Sequence, residues 1–172
     1  MKNKSNYIAH LAKVKTFYIM RHAKSSWDYP ALDDYDRPLN KRGERDATRM
    51  ASWLSQQSDL PEKIITSGAK RAHELAKQVQ QAISGPLVIN DEIYGASARA
   101  LLKLVRSCDD ELERIMIVGH NPELTTFINK YGNMDLENLP TSGLVRIRFE
   151  ESSWSEVSSG QVDLSMWPKR LD

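Results

Sequence analysis

Apolar positions along this chain follow two rhythms in alternation, short continuous runs and longer stretches in which every third or fourth residue is apolar. Phe17 to Met20, Lys63 to Thr66, Leu87 to Ile89 and Ile115 to Val118 are short runs without Gly or Pro, the pattern of strands buried on both faces of a parallel sheet. Between them lie helical patterns. Ala47, Met50, Ala51 and Leu54 form one apolar face, Ala72, Leu75, Ala76 and Val79 a second, and Leu101, Leu102, Leu104, Val105 and Cys108 a third. Asn40, Ser67 and Ser97 stand where helix caps belong, Gly85-Pro86 is a stop signal, and Asn121-Pro122 fits a cap followed by the first helical position. Towards the carboxyl terminus the rhythm changes. Val145, Ile147 and Phe149 alternate with Arg146 and Arg148 as in a half-exposed edge strand, and Trp154, Val157, the Ser158-Ser159-Gly160 turn and Val162 to Leu164 complete a final hairpin.

The repeated strand–helix alternation predicts an α/β fold, a three-layer sandwich with a mainly parallel central sheet between helices. Residues 15–172 read as a single domain behind a flexible lead-in, residues 1–14, whose apolar patch at Ile8 to Ala12 is too brief and too polar for a secretory segment and in which His10 has no evident role. No stretch approaches the ~18 apolar residues of a membrane span, and the expected setting is cytoplasmic. Lys and Arg number 24 against 23 Asp and Glu, a formal charge of +1. That balance offers no general field for nucleic acid or membrane, so any anion site must be local. Cys108, the single cysteine, falls in an apolar pattern and reads as a packed thiol.

In open α/β sheets ligands bind beyond the carboxyl ends of the strands, and here those ends carry unusual residues. The first strand stops at Arg21-His22 and the fourth at Gly119-His120, while the second leads to Ser67 with Arg71 on the helical turn after it. The third runs into Asn90-Asp91-Glu92. Gathered at one crevice, Arg21, His22, Ser67, Arg71, Glu92 and His120 supply two guanidinium groups, two imidazoles, an acid and two helix amino termini, a set suited to a phosphoryl group. Guanidinium forks and a protonated His120 would hold its oxygens, with Ser67 and Asn121 as further phosphate-binding candidates. His22 is then free to act as nucleophile, provided one ring nitrogen is unprotonated and the other is fixed by a hydrogen bond. A metal site shares some of these ingredients, but there is no His pair at helical spacing and two arginines would repel a cation. No cofactor is called for, and a Gly-rich phosphate loop is missing from the sequence. His73 reads as a rim residue.

The run Tyr18-Ile-Met-Arg-His-Ala-Lys-Ser25, together with TSGAKRA at Thr66 to Ala72 and VGHNP at Val118 to Pro122, resembles the histidine phosphatase superfamily. RPLNKRG at Arg37 to Gly43 and LPTSG at Leu139 to Gly143 look like its SixA branch of phosphohistidine phosphatases, so the similarity extends from Lys15 to Lys169. The resemblance implies a phosphoglycerate-mutase-like fold in which His22 takes up the phosphoryl group and Arg21, Arg71 and His120 hold it. The general acid it implies belongs in the Asp91-Glu92 stretch, with Glu92 as the candidate. Ala23 stands where many relatives have Gly, and Asp28 where many have Asn.

One helix and one strand use up nearly all the chain between Glu92 and His120, which leaves nothing for a lid of the kind mutase relatives insert there. An open crevice favours a phosphorylated side chain on another protein, such as a histidine phosphotransfer domain. A small phosphate ester is the alternative substrate, and a catalytically silent phosphate-binding module the alternative from another class.

Overall fold

The computed structural model describes residues 14–172. The expected lead-in, with His10 and the patch at Ile8 to Ala12, lies outside the described residues except for Val14. Strands β1 (Lys15–Arg21), β2 (Lys63–Thr66), β3 (Leu87–Ile89), β4 (Arg114–Gly119), β5 (Leu144–Phe149) and β6 (Gln161–Met166) form one sheet in the order β3-β2-β4-β1-β5-β6. Helices α1 (Lys41–Ser55), α2 (Lys70–Ile83), α3 (Ala98–Arg106) and α4 (Glu123–Tyr131) cover it.

Period-two alternation in the strands sorts side chains into two cores. Phe17, Ile19, Ile65, Ile115 and Ile117 pack against Leu101, Leu102 and Val105 of α3 and Phe127 and Ile128 of α4. Tyr18, Met20, Ile64, Met116 and Val118 face the other way, against Met50 and Leu54 of α1 and Leu75 and Val79 of α2. With a pair of helices on each face, the continuous apolar runs of β1 and β4 are the expected signature of strands buried on both sides, and the three-layer α/β reading holds.

Two expectations need correction. The sheet is mixed: β1, β4, β2 and β3 pair in parallel, but β5 is antiparallel to both β1 and β6. Nor is β5 an edge strand. Val145, Ile147 and Phe149 are fully buried, while Arg146 and Arg148 are partly exposed and bond carboxylates. Arg146 clasps Asp163 in bidentate fashion at 2.7 and 2.9 Å, and Arg148 reaches Asp59 at 2.9 Å. Its alternation reflects one ion-paired face rather than an open edge, and β6 takes the edge position.

Asn40 caps α1 as expected, its Oδ1 accepting the Gly43 N–H at 2.8 Å. A Cβ on Gly43 would lie 2.0 Å from the Lys24 carbonyl oxygen, so a glycine there lets the loop after β1 rest on the helix. Ser97 caps α3 through the Ala100 N–H at 3.1 Å. Cys108 is two residues past the end of α3, partly buried against the apolar core, and burial raises its thiol pKa. Among the described residues no helix is long and apolar enough to cross a membrane.

Candidate active site

Sheet order decides what meets at the carboxyl edge. Because β2, β4 and β1 are adjacent, Ser67, His120 and His22 emerge side by side. Backbone bonds continue the ladder past the strands: His22 N–H donates to the Gly119 carbonyl at 2.9 Å and Ser67 N–H to the Val118 carbonyl at 3.0 Å. The His22 and His120 ring centroids are 5.2 Å apart.

The His22 Nδ1 lies 2.8 Å from the Ala23 carbonyl oxygen. A carbonyl only accepts, so Nδ1 carries the proton and the neutral ring presents Nε2 with a free lone pair. Burial pushes the pKa of His22 down to about 3, against the opposing pull of the Ala23 hydrogen bond, and the charges of His120, Arg71 and Arg21 add to the depression. At neutral pH this imidazole is therefore neutral, with its Nε2 lone pair free.

Around it the LPTSG stretch forms a support. Arg21 N–H donates to the Gly143 carbonyl at 2.9 Å, and Ser142 N–H bridges the Arg21 and His22 carbonyls at 3.2 and 3.1 Å. Ser142 sits at φ 57°, in the left-handed region. The Arg21 guanidinium donates from one terminal nitrogen to the Leu139 carbonyl at 2.7 Å, while its buried Nε has no protein partner. Arg71, on the first turn of α2, is only 6% exposed, and its guanidinium donates to the backbone carbonyl of Asp34 at 2.5 Å and to its carboxylate at 2.9 Å.

Ser67 does not cap α2, which begins three residues later with Ala69 as its cap. Its buried hydroxyl instead accepts the Ala69 N–H at 3.2 Å and lies 2.9 Å from His120 Nε2. Reading the hydroxyl as donor leaves His120 protonated on Nδ1, the buried ring nitrogen without a protein partner, and that N–H suits an anionic oxygen. The expectation of a cationic His120 is corrected. Burial, then the charges of Arg71 and Arg21, lower its pKa to about 4 despite the nearby Asp34, so it donates as a neutral ring.

Asn121 and Glu92 are not brought to this constellation. Asn121 Oδ1 accepts the Thr125 N–H at 3.2 Å, so it does serve the start of α4. However, the helix begins at Glu123, with Pro122 in the cap position. Both Nδ2 hydrogens go to Asn138 and Leu139, at 2.8 and 3.1 Å, leaving none for a phosphate. Glu92 is exposed on a 3-10 turn, Asp91–Ile93, and lines a groove with Ala100, Leu101 and Leu104 that includes neither histidine. Asp91 accepts the Tyr35 hydroxyl at 2.6 Å.

Sequence reading missed Asp34 and Tyr94. Asp34 begins a 3-10 turn, Asp34–Asp36, in the long loop after β1, and its carboxylate accepts from Arg37 at 2.9 Å, Arg71 at 2.9 Å and the Tyr94 hydroxyl at 2.9 Å. Burial acts to raise its pKa, but those three donors prevail and hold it at about 2. Tyr94 stands edge-on to His120, ring centroids 5.3 Å apart. The loop is fixed by Arg37 of the RPLNKRG stretch, whose guanidinium also bonds Ser25 and Ser26 and stacks 3.2 Å over the Trp27 ring. Asp28 is turned into the same loop, its carboxylate accepting the Ser26 hydroxyl at 2.8 Å. Among the described residues no three His, Cys, Asp or Glu side chains group as metal ligands.

Fold and site together describe a phosphoryl-transfer protein of the histidine-acceptor class. The family model of the histidine phosphatase superfamily (branch 1) matches residues 17–95. An uncharacterized chloroplastic protein of Arabidopsis thaliana is 35% identical over 150 residues, 81% of this chain and 68% of that one. An uncharacterized protein of Mycobacterium tuberculosis is 29% identical, covering 82% of this chain and 93% of its own. Among solved structures, a candidate SixA phosphohistidine phosphatase from Agrobacterium tumefaciens superposes with a TM-score of 0.78 at 27% identity, spanning 88% of this chain and 97% of that one. The protein histidine phosphatase SixA complexed with tungstate shares the fold at a TM-score of 0.74 and 21% identity, over 91% and 99% of the two chains. The chain belongs to the histidine phosphatase superfamily, in its SixA-like part, and its general activity is phosphate hydrolysis with a histidine nucleophile.

Proposed function

We propose that this chain is a metal-independent phosphohistidine phosphatase acting on a phosphorylated protein through a phosphohistidine on its own His22. The observation that carries the reading is the His22 Nδ1–H bond to the Ala23 carbonyl, which leaves Nε2 as the attacking atom. Nε2 forms a bond to phosphorus as the bond to the substrate's ring nitrogen breaks, and the electron pair of the broken bond stays on that nitrogen. Water then attacks the phosphorus of phosphorylated His22 and releases inorganic phosphate, returning the ring to its starting state.

Arg21, Arg71 and the Nδ1–H of His120 hold the phosphoryl oxygens, and their charge and dipoles oppose the negative charge that gathers there during transfer. Two guanidinium groups at the reacting centre do the electrostatic work that a cation would otherwise supply, which supports metal-independent chemistry. A phosphorylated histidine is favoured over an ester because Glu92, the expected acid, lies exposed against a separate groove, and an alkoxide leaving group needs a proton. The SixA-like relatives named above support the same substrate class.

The test is phosphate release from a histidine-phosphorylated phosphotransfer domain in the presence of a chelator, comparing wild type with His22→Ala. Rapid quench of the wild type should trap an acid-labile, base-stable phosphoenzyme. Turnover by His22→Ala at the wild-type rate, or turnover by wild type with no trapped intermediate, would overturn the mechanism. Activity confined to small esters would overturn the substrate.

A further inference from the structure

Asp34 stands in an unusual place for a carboxylate. Its backbone carbonyl and side chain both meet the guanidinium of Arg71, and Tyr94 links it to the His120 ring. Contacts therefore run from His22 through His120, Tyr94 and Asp34 to Arg71, a chain of neighbours that begins and ends on residues of the proposed phosphoryl site. Arg71's side chain is 7% exposed, whereas that of Asp34 is 51% exposed, so the acid is the solvent-facing member of the pair, on the side from which a phosphoprotein must approach. Oδ2 accepts from Arg71 and Tyr94 and Oδ1 from Arg37 alone, so Oδ1 keeps an acceptor site for one more N–H.

Resting on the phosphohistidine reading above, we propose that the Asp34 carboxylate accepts a hydrogen bond from the substrate's departing imidazole ring and selects for phosphorus–nitrogen substrates over phosphate esters. A phosphohistidine whose second ring nitrogen is protonated leaves as neutral imidazole: the phosphorus–nitrogen bond breaks, its electrons stay on the released nitrogen, and the proton on the other nitrogen does not move. Without that proton the leaving group would be an imidazolate anion, a far poorer one. An ionised carboxylate at the mouth favours the protonated ring and so lowers the barrier. It acts in the opposite sense on an ester, whose leaving oxygen gathers negative charge, and Asp34 itself holds no proton to give.

Strong donors keep Asp34 in that state and in that position. The groups facing it are Arg37 of its own loop, Arg71 of α2, Tyr94 after the 3-10 turn that follows β3, and His120 after β4. The two arginines favour the anion, and Tyr94 and neutral His120 add no charge at neutral pH.

The experiment compares kcat/KM of wild type, Asp34→Asn and Asp34→Glu on a histidine-phosphorylated phosphotransfer domain and on p-nitrophenyl phosphate, across pH. In Asp34→Asn the ratio of phosphohistidine to ester activity should fall about tenfold or more, and the alkaline limb for phosphohistidine should move to lower pH as the substrate ring loses its proton more readily. Asp34→Glu should recover part of the ratio. An equal loss on both substrates would make Asp34 only a positioning residue for Arg71, and an equal gain would make it a competitor for the phosphate slot; either overturns the proposal. If wild type hydrolyses the ester but not the phosphohistidine domain, the substrate reading itself fails and the proposal with it. A wild type active on the domain with an unchanged ratio in the variant overturns the proposal alone.

Discussion

At the scale of single residues, the site depends on which nitrogen of each histidine carries a proton, and one hydrogen-bonding neighbour of each decides it. Ala23 fixes His22 through its carbonyl, and Ser67 fixes His120 through its hydroxyl. Ser67→Ala should therefore lower kcat about tenfold or more, because it frees His120 to take the wrong tautomer while leaving every phosphate ligand in place. Steady-state kinetics on the same phosphoprotein would show it as a fall in kcat larger than any rise in KM. The depressed pKa values carry a stability consequence. With folded values of about 3 for His22 and about 4 for His120 and an unfolded value near 6.5, the unfolded chain binds more protons between those limits. Stability contributed by the two neutral rings is thus complete above about pH 6.5 and is lost as pH falls towards 3. Denaturant midpoints measured from pH 7.5 to 4 should decline, and the decline should be shallower in a His22→Asn, His120→Asn double variant.

At the scale of elements, the strands were legible and the loops were not. Continuous apolar runs marked β1, β2 and β4 because strands covered on both faces have no polar alternation to hide them. The loop after β1 reads only as polar and Pro-punctuated, since its order comes from Arg37 reaching Ser25, Ser26 and Asp34 and from α1 pressing on Lys24 at Gly43. Gly43→Ala should cost about 1–3 kcal/mol, because a backbone carbonyl must move to admit the methyl group. It should also reduce turnover, since that carbonyl lies two residues from His22; thermal melts and kcat together test both. At the opposite end of β1, fully buried Lys15 donates to the carbonyls of Asp110 and Leu112 at 2.7 and 2.9 Å. Lys15→Ala should destabilise by about 2–4 kcal/mol through the orphaned carbonyls and the space left behind, measured by denaturant unfolding, with KM for the phosphoprotein unaltered.

At the scale of the whole molecule, the proposed phosphoryl site draws on β1, β4 and α2 at once, so an oxyanion held there would tie the three together. Inorganic phosphate or tungstate should raise the unfolding temperature in a concentration-dependent way, with a stabilisation of about 2.7 kcal/mol at a hundred times the dissociation constant. Arg71→Ala should abolish most of that increase in a melting series. What the sequence determined by itself was composition at each strand end: Arg21 and His22, Ser67 with Arg71 following, and His120, together with the number and kind of elements between them. Local patterns carry that information because strand burial and helix periodicity are written in neighbouring residues. Only the tertiary structure decided that β2, β4 and β1 lie adjacent so that those ends meet, and that Asp34, from a loop with no periodic signature, arrives on Arg71 while Glu92 points to another groove. Those outcomes depend on contacts between residues far apart in the chain, where sheet order and loop anchoring are set by packing rather than by local preference.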